Sequence, residues 1–224
     1  MNRKIMKRPA EGGFLRLSET VNAIIICLFC IILSGCSGPS LRPEQKNNIC
    51  EIFRENSKWY RYAERSHVKW GIPIPVLVAI MYQESGFVDD IKPPRTTCLC
   101  IFPGPRPSSA YGYSQAKDET WSQYCRATGN SSADRDNFED AIDFIGWYCD
   151  ISHRKCRIAR GDAYNLYLAY HEGHGGFNRK TFQKKRWLLN VASKVQKKAN
   201  TYKSQLASCE GEFVKKGGCC LWPF

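Results

Sequence analysis

The sequence predicts a mainly helical, single-domain protein that follows an export signal. Apolar residues recur at intervals of three and four over several long segments, which is the spacing of one helix face. No segment shows convincing alternation of apolar and polar residues, so no long strand is expected. There is no internal repeat, and residues 36–224 suffice for one domain with a sizeable core.

The N-terminal segment has the pattern of a lipoprotein signal. Residues 21–33 are almost wholly apolar, and a Leu-Ser-Gly-Cys lipobox ending at Cys36 follows at once. Crossing a bilayer takes about 20 apolar residues, so this run fits a removable signal better than a permanent anchor, and a marginal membrane helix is the alternative. We expect a signal peptide over residues 1–35, with Cys36 as the lipidated first residue of the mature protein. The basic residues before the apolar run are Arg3, Lys4, Lys7 and Arg8.

The residue after the lipidation site indicates a location. Ser37 is not the aspartate that retains lipoproteins in the inner membrane of many Gram-negative bacteria. By this resemblance we expect the protein on the periplasmic side of the outer membrane, tethered to the membrane through Cys36.

The net charge is strongly positive. The chain has 33 Lys and Arg against 21 Asp and Glu, a formal charge of +12, and the mature chain keeps +9 (28 basic against 19 acidic residues). A positive surface suits an anionic polymer such as the peptide-crosslinked cell wall or lipopolysaccharide. Export argues against nucleic acid as a partner. The basic residues between 184 and 198 predict either a solvated helix face or a surface that binds wall or lipid.

The mature chain has nine cysteines besides Cys36. An exported compartment is oxidising, so we expect several disulfides and, because nine is odd, at least one thiol that is free or bridges chains. The alternative of a zinc site would need paired C-x-x-C spacing, which the chain does not have. The nine are Cys50, Cys98, Cys100, Cys125, Cys149, Cys156, Cys209, Cys219 and Cys220.

Local patterns divide the mature chain into a tether (36–46), a folded domain (47–208) and a cysteine- and aromatic-rich tail (209–224). Gly71 and Gly86 mark helix ends, and Pro75 suits a helical first turn. The proline-rich stretch 89–109 predicts a disulfide-stapled loop that forms a cleft wall or a surface excursion. The predicted helices are residues 45–69, 76–83, 117–127, 137–154, 162–171 and 178–206.

One carboxyl group stands out for its chemistry. Glu84 lies in the last turn of the apolar helix that ends at Gly86. Apolar surroundings and the negative end of the helix dipole both favour the protonated form, which is the form that a general acid needs. The alternative is that Glu84 is simply a solvated glutamate at a helix end.

Three motifs follow one another in the chain: Glu84-Ser85-Gly86-Phe87, Gly112-Tyr113-Ser114-Gln115 and Ala169-Tyr170. In this order they resemble the soluble lytic transglycosylase (SLT) domain, which is related to goose-type lysozyme, over about residues 70–190. The resemblance implies a lysozyme-like (SLT-type) helical domain that needs no cofactor and no metal. The family usually has Met where this chain has Ser114, and Asn and Ala where it has His171 and Glu172.

The resemblance also implies a reaction and a partner, the glycan strands of peptidoglycan. Glu84 would protonate the oxygen of the β-1,4 bond between N-acetylmuramic acid and N-acetylglucosamine, and then act as base on the muramoyl 6-hydroxyl to form a 1,6-anhydro ring. Cell-wall remodelling, including opening gaps for an envelope-spanning machine, would be the purpose.

The remaining candidates are substrate-binding residues. Gln115 and Tyr170 are carried over from the resemblance, with a purely structural role as the alternative, and Ser85 would orient the substrate or Glu84. Tyr111 and Tyr113 suit either sugar stacking or core packing. The other motif residues that we include in the predicted site are Ser114, His171 and Glu172. His171 and His174 are three residues apart, unlike the four-residue spacing of a zinc-protease helix, so no metal is expected.

Two other functions are also compatible with the sequence. If Glu172, Asp89 or Asp90 positioned a water opposite Glu84, the protein would be a lysozyme-type hydrolase. The altered motif at His171 and Glu172, together with the cysteine-rich loops, would also suit a catalytically weak wall-binding scaffold.

Overall fold

The computed structural model describes residues 41–42, 44–98 and 102–214. The expected signal peptide, Cys36, most of the expected tether, Cys100 and residues 215–224 of the expected tail lie outside these residues. Seven α-helices make up most of the described chain, so the prediction of a mainly helical fold is confirmed. They are α1 Ile49–Glu55, α2 Ser57–Trp70, α3 Ile74–Ser85, α4 Asp118–Thr128, α5 Phe138–Cys156, α6 Ala163–Asn178 and α7 Arg186–Phe213.

Short elements complete the described chain. Two 3-10 turns lie at Gln45–Asn47 and Thr181–Lys184. The two-residue strands β1 Thr97–Cys98 and β2 Phe102–Pro103 pair antiparallel within the proline-rich stretch, where no strand was expected. None of the helices in the described part combines the length and apolar character that a membrane span requires.

Helix α3 is the centre of the domain. Its first eight residues are all buried, as expected for a helix that is apolar on every side. It packs against α7, α5, α2 and α6. It ends, as predicted, at Gly86, whose φ of 57° is the left-handed conformation that glycine adopts at little cost. The C-terminal end of this central helix carries Glu84.

The prediction of one helix over residues 45–69 is wrong. The structure has a 3-10 turn, then α1, then a break at Asn56 (φ −124°, ψ 76°) before α2. The break lets the rings of Phe53 and Tyr60, one from each helix, pack against each other with centroids 5.5 Å apart. Both rings also contact Phe213 of α7. The apolar spacing continues across the break, so the pattern alone does not reveal it.

The last two helices also differ from their predicted bounds. Helix α6 was expected to end at His171, but it continues to Asn178 through a kink at Gly173, whose φ of 74° and ψ of 157° are not helical. Helix α7 was expected over residues 178–206, but it begins at Arg186, after the second 3-10 turn, and runs through Phe213.

The described residues contain one disulfide, and the side chains of Cys98, Cys100, Cys219 and Cys220, which were also expected to form disulfides, lie outside the described part of the chain. The disulfide joins Cys50 of α1 to Cys209 of α7, with Cα atoms 6.1 Å apart. Cys125, Cys149 and Cys156 are free thiols. Cys149 and Cys156 lie two turns apart on the unbroken helix α5, about 10 Å along the axis, which is too far for a bond between them.

Candidate active site

Glu84 lies partly buried in the last turn of α3. Burial, which disfavours the charged carboxylate, raises the pKa of Glu84 to about 7, and a hydrogen bond from the Tyr167 hydroxyl acts against this rise. The C-terminal end of the helix dipole also favours the protonated carboxyl. Glu84 can therefore hold a proton near neutral pH and release it in a reaction.

Two tyrosines of α6 approach this carboxyl group from one helix face. Tyr167 hydrogen-bonds to Glu84, and burial raises the pKa of Tyr167 well above its usual range, with the Glu84 charge adding to the rise. Tyr170 lies one turn further on and donates its hydroxyl to the backbone oxygen of Ser114, 2.7 Å away. Tyr170 is one of the site residues predicted from the sequence, and Tyr167 is not. The three-residue spacing places Tyr167 and Tyr170 on one helix face, and this spacing could have indicated Tyr167 from the sequence.

Ser85 closes the end of α3. Its Oγ donates to the backbone oxygen of Met81 at 3.3 Å and accepts from the backbone N–H of Phe87 at 3.2 Å. Phe87 has a positive φ of 62°, which is uncommon for a residue with a side chain. The buried Ser85 hydroxyl thus holds the chain reversal directly after Glu84.

The second motif forms a tight turn that places Gln115 beside Glu84. Gly112 has a φ of 73°, and a Cβ at this position would lie 2.1 Å from the backbone oxygen of Arg135, so only glycine fits. Gln115 Nε2 donates to the backbone oxygens of Ile91 at 3.0 Å and Gly112 at 2.8 Å. Because both amide hydrogens are used in this way, Gln115 can offer its Oε1 to a ligand as an acceptor.

The tyrosines of this turn lie outside the cleft that contains Glu84. Tyr111 donates its hydroxyl to Asp136 at 3.0 Å. Tyr113 packs against Trp59 and Phe138, with ring centroids 5.9 and 5.7 Å away, and borders a separate depression of about 470 Å³. Ser114 is fully buried, and its Oγ has no hydrogen-bond partner.

A cleft of about 340 Å³ collects the other predicted residues. Glu84, Gln115, Tyr170, His171 and Glu172 all border it. Lys117 and Thr120 at the start of α4, and Phe144 and Tyr148 of α5, complete its walls. The structure therefore brings together the acid and residues of all three sequence motifs.

Glu172 is held by its neighbours at the edge of this cleft. Its Oε1 accepts from Lys185 Nζ at 2.7 Å and lies 3.1 Å from His171 Nδ1, and its Oε2 accepts from the Thr181 hydroxyl. The side chain is only 4% exposed. Burial alone would raise the pKa of Glu172, but these bonds outweigh it and lower the pKa to about 2. Glu172 is therefore an ionised carboxylate with both oxygens engaged.

Comparison with known proteins identifies a family for this chain. The sequence model of the family described as "Transglycosylase SLT domain" matches residues 24–209, well over half of the chain. The chain belongs to this SLT family. No curated protein and no solved structure matches it. Membership accounts for the lysozyme-like helical fold and implies, in general, peptidoglycan lytic transglycosylase activity with peptidoglycan as the substrate.

His171 and His174 each contact neighbouring side chains. His174 stacks on Tyr148 at 4.5 Å, and its Nε2 lies 3.0 Å from Ser152 Oγ. His171 contacts Glu172 instead. Within residues 41–42, 44–98 and 102–214, no group of three or more His, Cys, Asp or Glu side chains could hold a metal ion.

Proposed function

We propose that this SLT-domain protein is a peptidoglycan lytic transglycosylase that cleaves the β-1,4 bond between N-acetylmuramic acid and N-acetylglucosamine and leaves a 1,6-anhydromuramoyl end. The observation that carries the proposal is Glu84, a carboxyl group in a cleft with a pKa raised to about 7. A general acid works best when its pKa lies near the working pH.

One carboxyl group is enough for this reaction. Protonated Glu84 gives its proton to the glycosidic oxygen as the bond from that oxygen to the anomeric carbon breaks. The resulting Glu84 carboxylate then takes the proton of the muramoyl 6-hydroxyl, whose oxygen bonds to the anomeric carbon. Glu84 ends protonated again, and no water is consumed.

The positions and partners of the other carboxylates near Glu84 favour ring closure over hydrolysis. A hydrolase that inverts or retains uses a second carboxylate to activate water or to attack the sugar. Both oxygens of Glu172 already accept hydrogen bonds from Lys185 and Thr181. Asp89 and Asp90 are exposed and are not among the residues that border the cleft. Among the described residues, Glu84 is thus the one cleft carboxyl group not tied to a cation.

Substrate contacts follow from the same geometry. Gln115 Oε1 would accept the N–H of an acetamido group, while Tyr170 and His171 would border the sugar chain. Ser85, Ser114 and Glu172 would act by positioning, because Ser85 and Ser114 are buried and Glu172 is engaged. Tyr111 and Tyr113 would meet only a substrate that extends past the turn and out of the cleft.

We further propose the setting of this activity. Cys36 would carry lipid and hold the domain at the periplasmic side of the outer membrane, where it would remodel the wall for an envelope-spanning machine. Fatty-acid labelling of the wild-type chain and of Cys36→Ser tests the anchor, and labelling that persists in the variant would contradict it.

The decisive experiment is mass spectrometry of muropeptides released from purified sacculi. We expect the wild-type protein to release anhydro-muropeptides, Glu84→Gln to release none, and Glu64→Gln, a carboxylate variant on α2 away from the cleft, to match the wild type. Products with reducing ends would show hydrolysis instead. Sacculus binding without any release by the wild type would favour the scaffold function.

A further inference from the structure

Trp187, in the first turn of α7, is unusually open to solvent beside the cleft. Its side chain is 55% exposed, whereas Trp59, Trp70, Trp121 and Trp147 are buried or half-buried. Its ring meets the ring of His171 edge to face, with centroids 5.1 Å apart. His171 borders the Glu84 cleft, so Trp187 is in contact with a residue of the cleft wall.

Glu172 anchors the segment that leads into Trp187. Thr181 and Lys185, on the two sides of the 3-10 turn Thr181–Lys184, both donate to the Glu172 carboxylate. Trp187 follows Lys185 by two residues. The same carboxylate contacts His171 Nδ1, so one buried anion braces both the ring that lines the cleft and the segment that carries Trp187.

We propose that Trp187 is an additional glycan subsite, on which an N-acetylhexosamine ring of the strand stacks outside the Glu84 cleft. The proposal rests on the proposed function, because it takes the cleft to bind a glycan. His171 and Glu172 act as positioning residues for this subsite.

The chemistry of the site favours a sugar. An aromatic face packs well against the C–H face of a pyranose ring. Covering a large exposed apolar side chain with such a surface is favourable, because it removes apolar area from water. The subsite is continuous with the cleft through His171, so one strand can occupy both. A membrane surface could also take an exposed tryptophan, and the experiment separates the two.

The test measures the binding of N-acetylglucosamine oligomers by the Glu84→Gln protein, so no turnover is needed. We expect tryptophan fluorescence to change on titration with the hexamer, and this change to be lost in Glu84→Gln/Trp187→Phe. Glu84→Gln/Trp187→Ala should bind the hexamer about tenfold more weakly and the trimer equally well, because the trimer fills the inner cleft alone. Val68→Ala, at another exposed apolar residue, is the matched control and should change neither affinity.

Equal hexamer affinity with and without Trp187, or no hexamer binding by the Glu84→Gln protein, would overturn the proposal. So would a Trp187→Ala protein that binds the hexamer normally but loses binding to phospholipid vesicles. Unchanged thermal melting of the Trp187 variants excludes misfolding as the cause of a loss. If hexamer binding depends on Trp187 but the wild-type protein releases no anhydro-muropeptides, the proposed reaction is wrong and the subsite stands. If anhydro-muropeptides are released but hexamer binding does not depend on Trp187, the subsite is wrong and the proposed reaction stands.

Discussion

The carboxyl group of Glu84 experiences two opposing influences, and their balance sets its pKa near 7. Burial raises the pKa, and the hydrogen bond from Tyr167 lowers it. Tyr167 itself stays protonated because its own pKa is raised, mainly by burial. In the proposed reaction, Tyr167 therefore stabilises the carboxylate that forms when Glu84 gives its proton to the substrate, and Tyr167 keeps its own proton.

Removing this hydrogen bond should move the pH dependence of activity. The proposed reaction begins with protonated Glu84, so kcat/KM should fall as the pH rises through the pKa of Glu84. Tyr167→Phe removes a bond that favours the carboxylate, so this pKa rises and the falling limb moves about half to one pH unit upward. Release of anhydro-muropeptides between pH 5 and pH 9 measures the shift. Tyr170→Phe, which loses only the bond to Ser114, is the control and should keep the wild-type limb. A limb that stays in place in Tyr167→Phe would refute the assignment.

The raised pKa of Glu84 also costs stability at high pH. Below pH 4.5 the carboxyl group is protonated in the folded and in the unfolded chain, so its raised pKa does not lower the free energy of unfolding. Between pH 4.5 and 7 the unfolded chain gives up the proton while the folded protein keeps it, so stability falls as the pH rises. Above pH 7 the loss is complete, at up to about 3 kcal/mol.

Glu84→Gln should therefore stabilise the protein in a pH-dependent way. The amide has nearly the same shape and carries no charge, so we expect a free energy of unfolding about 1 to 3 kcal/mol above the wild type at pH 8 and no difference at pH 4. Urea denaturation at the two pH values measures this. A gain of the same size at both would mean that Glu84 does not titrate as its burial requires.

At the scale of elements, the turn of residues 111–116 positions the cleft wall opposite α6. Its contacts with neighbouring segments include the close approach of Gly112 to Arg135 and the hydrogen bond from Gln115 Nε2 to the backbone oxygen of Ile91, and a second bond from Gln115 Nε2 to Gly112 braces the turn internally. Gln115 has a positive φ of 51°, so the turn depends on these bonds to hold an uncommon backbone conformation.

Gly112→Ala should disrupt this turn. The new Cβ would meet the Arg135 backbone oxygen at 2.1 Å in addition to the cost of a left-handed backbone, so we expect a loss of about 3 kcal/mol or more of stability, together with loss of activity. Gly129→Ala is the matched control, because Gly129 has a φ of 72° with no atom near the new Cβ. It should cost only about 1 kcal/mol and leave activity intact. Equal losses in the two variants would show that the approach to Arg135 is unimportant.

The sequence predicted the elements whose signals are local. Gly86 and Pro75 correctly indicated the ends of α3, and Glu84 at its C-terminal end was singled out because a carboxyl group after an apolar run is unusual. The break at Asn56 was not predictable, because it depends on packing against Phe213, far away in the chain. The burial of Tyr113 against Trp59 is non-local in the same way. Residue type alone cannot distinguish an aromatic ring in a core from one in a cleft.

At the scale of the whole molecule, α7 ties α3, the helix that carries Glu84, to the rest of the described domain. It packs along α3 and α6, which carry Glu84 and the two tyrosines, and it reaches α1 through the Cys50–Cys209 disulfide. The disulfide lies among the core contacts of α1 and α7, and neither cysteine borders the Glu84 cleft. It should therefore affect the stability of the fold far more than the chemistry of the site.

Removing this disulfide by substitution tests whether it contributes to stability without contributing to activity. The bond closes a loop of 159 residues, and opening it frees chain entropy in the unfolded state worth about 5 kcal/mol. We expect Cys50→Ser/Cys209→Ser to melt about 10 to 20 °C below the wild type, yet to keep near wild-type release of anhydro-muropeptides well below that melting temperature. Cys125→Ser, at a free thiol, is the control and should melt like the wild type. If the double variant lost activity while still fully folded, α7 would transmit strain from the disulfide to Glu84, and stability and catalysis would not be separable in this domain.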